Sequence, residues 1–430
     1  MLRSSFLMLC FLTILFISST YEKNVTSRKR PNTSRHKPAS IKLCGPTLVR
    51  MLDMVCDRAR QLLMKTQRSS SDSTYQKRQM IVDDDPFTRT LSVTDYAQFN
   101  NTLIGDCCLQ ACSLEQYESH RIPRVLSIQS HVVHGFVGNK CAAFILQLYG
   151  FEVDIINSVH FSNHTGYKTV KGSRLTADEL EAIFQGLLIN ELLEYDYILT
   201  GYMGSGELLH VVAKYIRLIK SKSAHIKYIC DPVIGDDNKL YVDRSCIEVY
   251  KNEILPLADI VTPNDFEIEV LIGKELAYRN DENQEEVIWQ SLRSLHKMGP
   301  SHIIISSISA DKIGGNQTML QMRASTQLLD NQYQTFQIDF PHLEGSFTGT
   351  GDSFSALILA WFHKENNLIR ACERSISILH QILRKTIEIS KPINTHNRCG
   401  RELCLIESKA IIECGDILFH AVLNDKHLSN

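Results

Sequence analysis

Apolar and polar positions change rhythm twice along this chain. Leu2 to Ser19 is almost wholly apolar, with Arg3 ahead of the run and Ser18 and Ser19 behind it. Residues 21–42 are polar and basic and show no period, which reads as disordered. Leu48, Met51, Leu52 and Val55 then form one helical stripe. From Arg124 onward, short apolar runs alternate with stretches of helical spacing. The pattern predicts strands at 125–129, 153–159, 196–199, 226–230, 258–261 and 302–306, and two more around a turn within 317–340. It predicts helices at 138–148, 176–193, 207–220, 242–255, 264–272, 285–297, 368–390 and 407–423. Thr176 and Glu179 have the spacing of a capping box. Such alternation points to an α/β fold, a doubly wound and mainly parallel sheet with helices on both faces. Ligands of such sheets bind outside the carboxyl ends of the strands.

One stretch carries chemistry. Gly349 and Gly351 bracket Thr350, Asp352 follows, and Phe354, Leu357, Ile358 and Trp361 recur at helical spacing. This is a glycine-rich turn opening a buried helix, whose bare N–H groups form an anion site. A carboxylate there would repel a resting phosphate. Asp352 therefore reads either as a base taking the proton of an attacking hydroxyl, or as a plain helix cap after a glycine turn.

Polar motifs also follow six predicted strands: Ser130-His131, Asn163 to Tyr167, Thr200 to Tyr202, Asp231 to Asp236, Thr262 to Glu267, and Ser306-Ser307. Each alone is an ordinary turn. Together, on the edge where such sheets bind ligands, they outline a site. His131, His134 and His164 read as loop or wall residues, because no His/Cys spacing suits zinc.

With 430 residues the chain exceeds one ordinary domain, and a net charge of −2 gives no reason to expect nucleic acid or a membrane surface as partner. Of its thirteen cysteines, Cys10 lies in the apolar start and the other twelve fall into two groups. Cys44, Cys56, Cys107, Cys108 and Cys112 are clustered as in an extracellular module, and those from Cys141 on, scattered, look like reduced thiols. The apolar start has the flanks of a secretory signal peptide over residues 1–19, and no stable membrane anchor is expected.

The N-terminal region resembles the insulin and relaxin-like peptide family. Leu43-Cys44-Gly45, with Cys56 one helix later, looks like a B chain at 41–60. Cys107-Cys108, Cys112 and Ser113-Leu114 look like an A chain at 101–120, and residues 61–100, with Lys77-Arg78, like the connecting piece. The resemblance implies Cys107–Cys112 and Cys44–Cys108 pairings, but no cysteine stands near Arg121 to pair with Cys56. The abrupt junction at 120–123 suggests two neighbouring coding segments joined, or a read-through product. A transcript spanning Glu118 to Leu126 would exclude the artificial join.

Residues 124 to about 423, within a domain taken as 122–430, resemble the pyridoxal kinase family of the ribokinase-like superfamily. The resemblance rests on Arg124 to His131, Asn157 to Tyr167, Leu199 to Tyr202, Cys230 to Val233, Thr262 to Asn264 and Gly349 to Asp352. It implies ATP-dependent phosphorylation of the 5′-hydroxymethyl group of pyridoxal, pyridoxine and pyridoxamine, with Asp352 as base. Ser130 and Thr165 would hold the polar edge of the ring, and Val137, Phe161 and Tyr202 would wall it. Gly349, Thr350 and Gly351 would cradle the phosphoryl group. Asp231, Asp236, Thr262 and Glu267 would place Mg²⁺ and a monovalent cation, K⁺ or Na⁺. Asn264, Ser306 and Ser307 would touch ATP or its phosphates. The family also implies a cytoplasmic homodimer, and a hydroxymethylpyrimidine kinase is the neighbouring alternative. The piece after Asp236 is shorter than the family's, and residues 310–346 match it poorly.

Overall fold

A computed structural model of the chain describes residues 122–236, 238–274, 284–309, 318–329, 332–390 and 401–424. The leader, the B-like and A-like segments and both disulfide pairings lie outside these residues. The chain divides into Met1–Arg121 and Ile122–Asn430. The description below concerns the second unit.

Ten strands form one sheet. In chain order, β1 is Arg124–Val132, β2 Glu152–Phe161, β3 Gly172–Arg174, β4 Tyr197–Thr200, β5 Lys227–Cys230, β8 Ile260–Val261, β9 His302–Ser309, β10 Met319–Gln327, β11 Tyr333–Pro341 and β14 Val422–Leu423. Their spatial order is β14-β11-β10-β9-β8-β5-β4-β1-β2-β3. The run from β2 to β9 is parallel throughout. Both flanks are antiparallel. A hairpin, β6 Gly235–Asp236 with β7 Lys239–Leu240, and a parallel pair, β12 Phe347–Thr348 with β13 Arg401–Glu402, stand outside it.

Side chains alternate across a strand, so a sheet covered on both faces needs two apolar sets. Leu126, Ile128, Ile198, Tyr228, Val261, Ile303 and Ile305 bury into one cluster. Val125, Leu199, Ile229, Ile260 and Ile304 bury into the other. The first cluster is completed by α2 (Ala177–Ile189), α3 (Gly206–Lys222), α4 (Ser245–Val249), α5 (Asp265–Ile272) and α6 (Gln284–His296). The second is completed by α1 (Asn139–Leu148), α7 (Thr350–Glu365), α8 (Leu368–Ser390) and α9 (Lys409–Cys414). No helix among the described residues is long and apolar enough to cross a membrane.

Most expected elements are present, and the Thr176–Glu179 capping box forms. Three expectations are corrected. Only Lys409–Cys414 of 407–423 is helical: Gly415 stops it at φ 63°, and the chain then runs to the edge strand β14. The helix expected over 242–255 is Ser245–Val249, then a π turn at Tyr250–Ile254 and a 3₁₀ turn at Leu255–Leu257 containing Pro256. Proline has no N–H to continue the α pattern. Strand β9 extends to Ser309, so Ser306 and Ser307 lie within it. Ile305 faces Arg323 and Ile308 faces Gln321, which leaves the two serines opposite Met322 as a bulge.

Candidate active site

The carboxyl ends of β1, β2, β4, β5 and β8 and the bulge of β9 share one rim, and α7 begins there. Its N-cap, Gly349, has φ 87°, and no side chain caps the helix. A Cβ on Gly349 would stand 2.3 Å from the Phe136 carbonyl oxygen, so the turn needs glycine for both its backbone and its packing. The first-turn amides of α7 are therefore not taken up by a capping side chain.

Asp352, in that first turn, accepts a 2.7 Å hydrogen bond at Oδ2 from the Gly138 N–H. Burial pushes its carboxyl above the ordinary aspartate value, and the Gly138 bond opposes that shift. Gly138 has φ 53°, and a Cβ there would meet the Ser130 carbonyl oxygen at 2.0 Å and the Ser130 hydroxyl oxygen at 2.4 Å. Ser130, Gly138 and Asp352 are thus consecutive contacts, beside buried Val137.

Local pairing explains where Ser130 sits. The β1–β2 register shifts between Gln129 and Ser130. Asn139, at the start of α1, bridges the two strands. Its Nδ2 donates to the carbonyl oxygens of Gln129 at 3.3 Å and Ile156 at 2.9 Å, and its Oδ1 accepts from the Ser127 hydroxyl at 2.7 Å. The register shift turns the end of β1 toward the glycine turn.

The Asn163 to Tyr167 loop closes one side of the rim. The Gly166 N–H donates to His164 Nδ1 at 3.1 Å, which puts the ring hydrogen of neutral His164 on Nε2. A Cβ on Gly166 would lie 2.8 Å from the same ring. Tyr167 packs edge-on to His164 at 4.7 Å. Thr165 lines a recess with Phe161, Val170, Lys171, Gly172 and Arg174. The Arg174 guanidinium lies over the Phe161 ring at 5.1 Å, and its Nη1 donates to the Tyr202 hydroxyl at 3.2 Å. Phe161, Thr165 and Tyr202 thus gather round Arg174, which the sequence reading passed over.

On the other side, a Cβ on Gly351 would lie 3.5 Å from Asp231 Oδ2. The Thr262 hydroxyl donates to Asp231 Oδ1 at 3.3 Å. Burial, then the nearby charge of Asp352, raises the Asp231 carboxyl. Burial, then Asp231, likewise raises Glu267. Glu267 is tied to the backbone: its Oε1 accepts from Ile234 N–H at 2.9 Å and its Oε2 from Asn264 N–H at 2.9 Å. Asn264 caps α5 through Oδ1 and donates from Nδ2 to the Gly235 carbonyl at 2.8 Å. These two side chains hold the Asp231 loop against α5. Asp236 is exposed on the β6–β7 hairpin. The Ser306 N–H donates to the Pro263 carbonyl at 3.2 Å, which brings the bulge of β9 beside the Thr262 turn. Among the described residues no group of three or more His, Cys, Asp or Glu could by itself hold a metal.

Glu402 also had no motif to mark it. Its Oε2 accepts from the Phe136 N–H at 3.1 Å and its Oε1 from the Tyr167 hydroxyl at 3.2 Å, with His164 Nε2 at 3.4 Å. It stands on a two-residue strand beside a stretch poor in pattern.

The arrangement has known counterparts. The profile of the Phosphomethylpyrimidine kinase family matches residues 143–397. Over 312 residues the chain is 39% identical to the pyridoxal kinase of Homo sapiens, an alignment covering 70% of this chain and 98% of that one. The chain belongs to the pyridoxal kinase family. It is 42% identical over 301 residues to the pyridoxal kinase of Dictyostelium discoideum, covering 69% of this chain and 98% of that protein. The pyridoxal kinase of Leishmania donovani in complex with ADP and pyridoxamine superposes with a TM-score of 0.63 at 33% identity, over 70% of this chain and 99% of that one. The fold is accordingly the ribokinase-like one of the pyridoxal kinases. Separately, the Insulin/IGF/Relaxin family profile matches residues 41–120, so the N-terminal region is similar to that family.

Proposed function

We infer that the chain catalyses ATP-dependent phosphorylation of B6 vitamers, passing the γ-phosphoryl group to the 5′-hydroxymethyl oxygen. The observation that carries the reading is the Asp352 carboxylate at the uncapped start of α7, fixed by the Gly138 N–H at 2.7 Å. Asp352 takes the hydroxyl proton as the oxygen attacks phosphorus, and the amides of Gly349, Thr350 and Gly351 receive the growing charge on the phosphoryl oxygens. Ser130 and Thr165 bind the polar edge of the pyridine ring. Val137, Phe161 and Tyr202 wall its faces.

ATP lies along the β5, β8 and β9 ends, against Thr262, Ser306 and Ser307. Asn264 and Glu267 serve there by holding the Asp231 loop. Mg²⁺ fits this donor set: Asp231 and Asp352 are crowded, buried carboxylates that burial pushes toward protonation, and a cation relieves that. Asp231 would hold it with phosphate and water oxygens, and it would neutralise phosphate charge when bound. A monovalent cation, K⁺ or Na⁺, beside Thr262 completes the proposal, as does a homodimer.

Asp352→Asn keeps the side-chain volume and removes the base. We expect kcat with pyridoxal and Mg-ATP to fall roughly 10²- to 10⁴-fold with KM little changed, in an assay of ADP release. A wild-type protein that leaves pyridoxal unphosphorylated, or an Asn variant of full activity, sinks the reading. Competition between pyridoxal and hydroxymethylpyrimidine separates the neighbouring kinase.

Residues 1–19 as leader, 20–121 as insulin-like region and 122–430 as kinase remain our proposed division. The insulin-like match favours a second reading, a secreted hormone precursor carrying the kinase as passenger. Receptor activation by a product cut at Lys77-Arg78 would support it. Against it stands Asn163, in a glycosylation sequon. Its Nδ2, the atom a glycan would take, donates to the carbonyls of His164 and Thr169, both at 3.1 Å. A glycan there would break the vitamer loop, which supports a cytosolic kinase.

A further inference from the structure

Three segments of the site converge on one side chain outside every motif. The 133–138 loop supplies Phe136 N–H to Glu402 and Gly138 N–H to Asp352. The vitamer loop supplies the Tyr167 hydroxyl to the same Glu402, and packs His164 Nε2 3.4 Å from it. Strand β12, which leads into Gly349, pairs Thr348 with Glu402 itself. The Glu402 side chain is only 12% exposed, and a Cβ on Gly135 would stand 2.1 Å from its Oε2, so the carboxylate sits in a fitted slot.

We propose that Glu402 is a positioning residue that locks the vitamer loop to the turn carrying the base. The reading rests on the proposed vitamer kinase activity and deepens it. An ionised carboxylate is acceptor-only, and every group aimed at it here is a donor or can be one. The Gly166 N–H on Nδ1 fixes the His164 ring, whose Nε2 edge lies 3.4 Å from Glu402 Oε1 without a hydrogen bond between them. Thr165 lies between His164 and Gly166, so its place at the polar edge of the ring depends on this anchorage. The nucleotide side, at β5, β8 and β9, makes no contact with Glu402 among those described.

The test is steady-state kinetics on the full chain with each substrate varied in turn. Glu402→Ala is expected to raise KM for pyridoxal roughly tenfold, the effect of one lost charge-assisted hydrogen bond, and to leave KM for ATP within about twofold. Glu402→Gln keeps an acceptor for Phe136 N–H and a polar partner for Tyr167, and should recover most of the loss. Tyr167→Phe should carry part of the pyridoxal effect and add little on top of Glu402→Ala. A folded Glu402→Ala protein with unchanged pyridoxal KM overturns the proposal, and so does an equal rise in both KM values. Should Glu402→Ala fail to fold, an unaltered pyridoxal KM in Tyr167→Phe overturns it instead. Wild-type enzyme inactive on every B6 vitamer would fault the underlying activity, a result distinct from these.

Discussion

At the scale of single residues, the site depends on two glycines as much as on its carboxylates. Gly138 holds φ 53° against the Ser130 carbonyl and donates the one backbone bond that lowers the Asp352 carboxyl. Gly138→Ala forces a side chain into that space and displaces the N–H. We expect a stability loss of about 2–4 kcal/mol in urea unfolding, as for strained, overpacked sites. Losing a hydrogen bond to the charged form raises the carboxyl further. The base must be ionised to act, so activity falls as pH drops through its raised value. The acid limb of kcat/KM, which reports the free enzyme, therefore starts above the ordinary 3.8 of aspartate and moves higher in the variant. A pH–rate profile of both proteins checks the direction. Asp352, Ser130 and the Asn163 to Tyr167 loop were legible in the sequence because each sits in a local motif. Glu402 and Arg174 were not, because their partners lie far away in the chain and contact alone reveals them.

At the scale of elements, the parallel strands could be read from short apolar runs, since both faces are buried and each run is bounded by polar turns. The bulge of β9 could not, because it is fixed by pairing with β10. The chain end was misread for a related reason: the apolar positions after Glu407 look helical, yet Gly415 ends α9 and pairing with β11 takes the rest. The close of α6 holds a titration. His296 Nδ1 donates to the Pro300 carbonyl at 2.7 Å, and its Nε2 meets the Ser325 hydroxyl at 2.9 Å. Burial lowers His296 and His302 to about 4. The unfolded chain then binds more protons between about pH 6.5 and 4, so stability is full above that window and declines as pH falls through it. The total loss across the window should amount to roughly 3 kcal/mol per histidine. His296→Gln should flatten it, read as the melting temperature across that range.

At the scale of the whole molecule, α2 and the turn after it leave Ile183, Leu188, Ile189 and Leu192 exposed. That supports the proposed homodimer, because apolar groups clustered on one element favour a covering partner. Sedimentation velocity should give twice the 48.9 kDa of one chain, and a single-chain mass at micromolar concentration would refute it. The strand order has a wider meaning. On the proposed assignment, residues for the alcohol come from β1, β2 and β4, those for the nucleotide from β5, β8 and β9, and the helix bearing the proposed base packs against β4 and β5 between them. Acceptor choice is therefore modular. Evolution, or an engineer, can redraw the left bank of this channel for a different alcohol while the donor bank and the proton acceptor between them stay as they are.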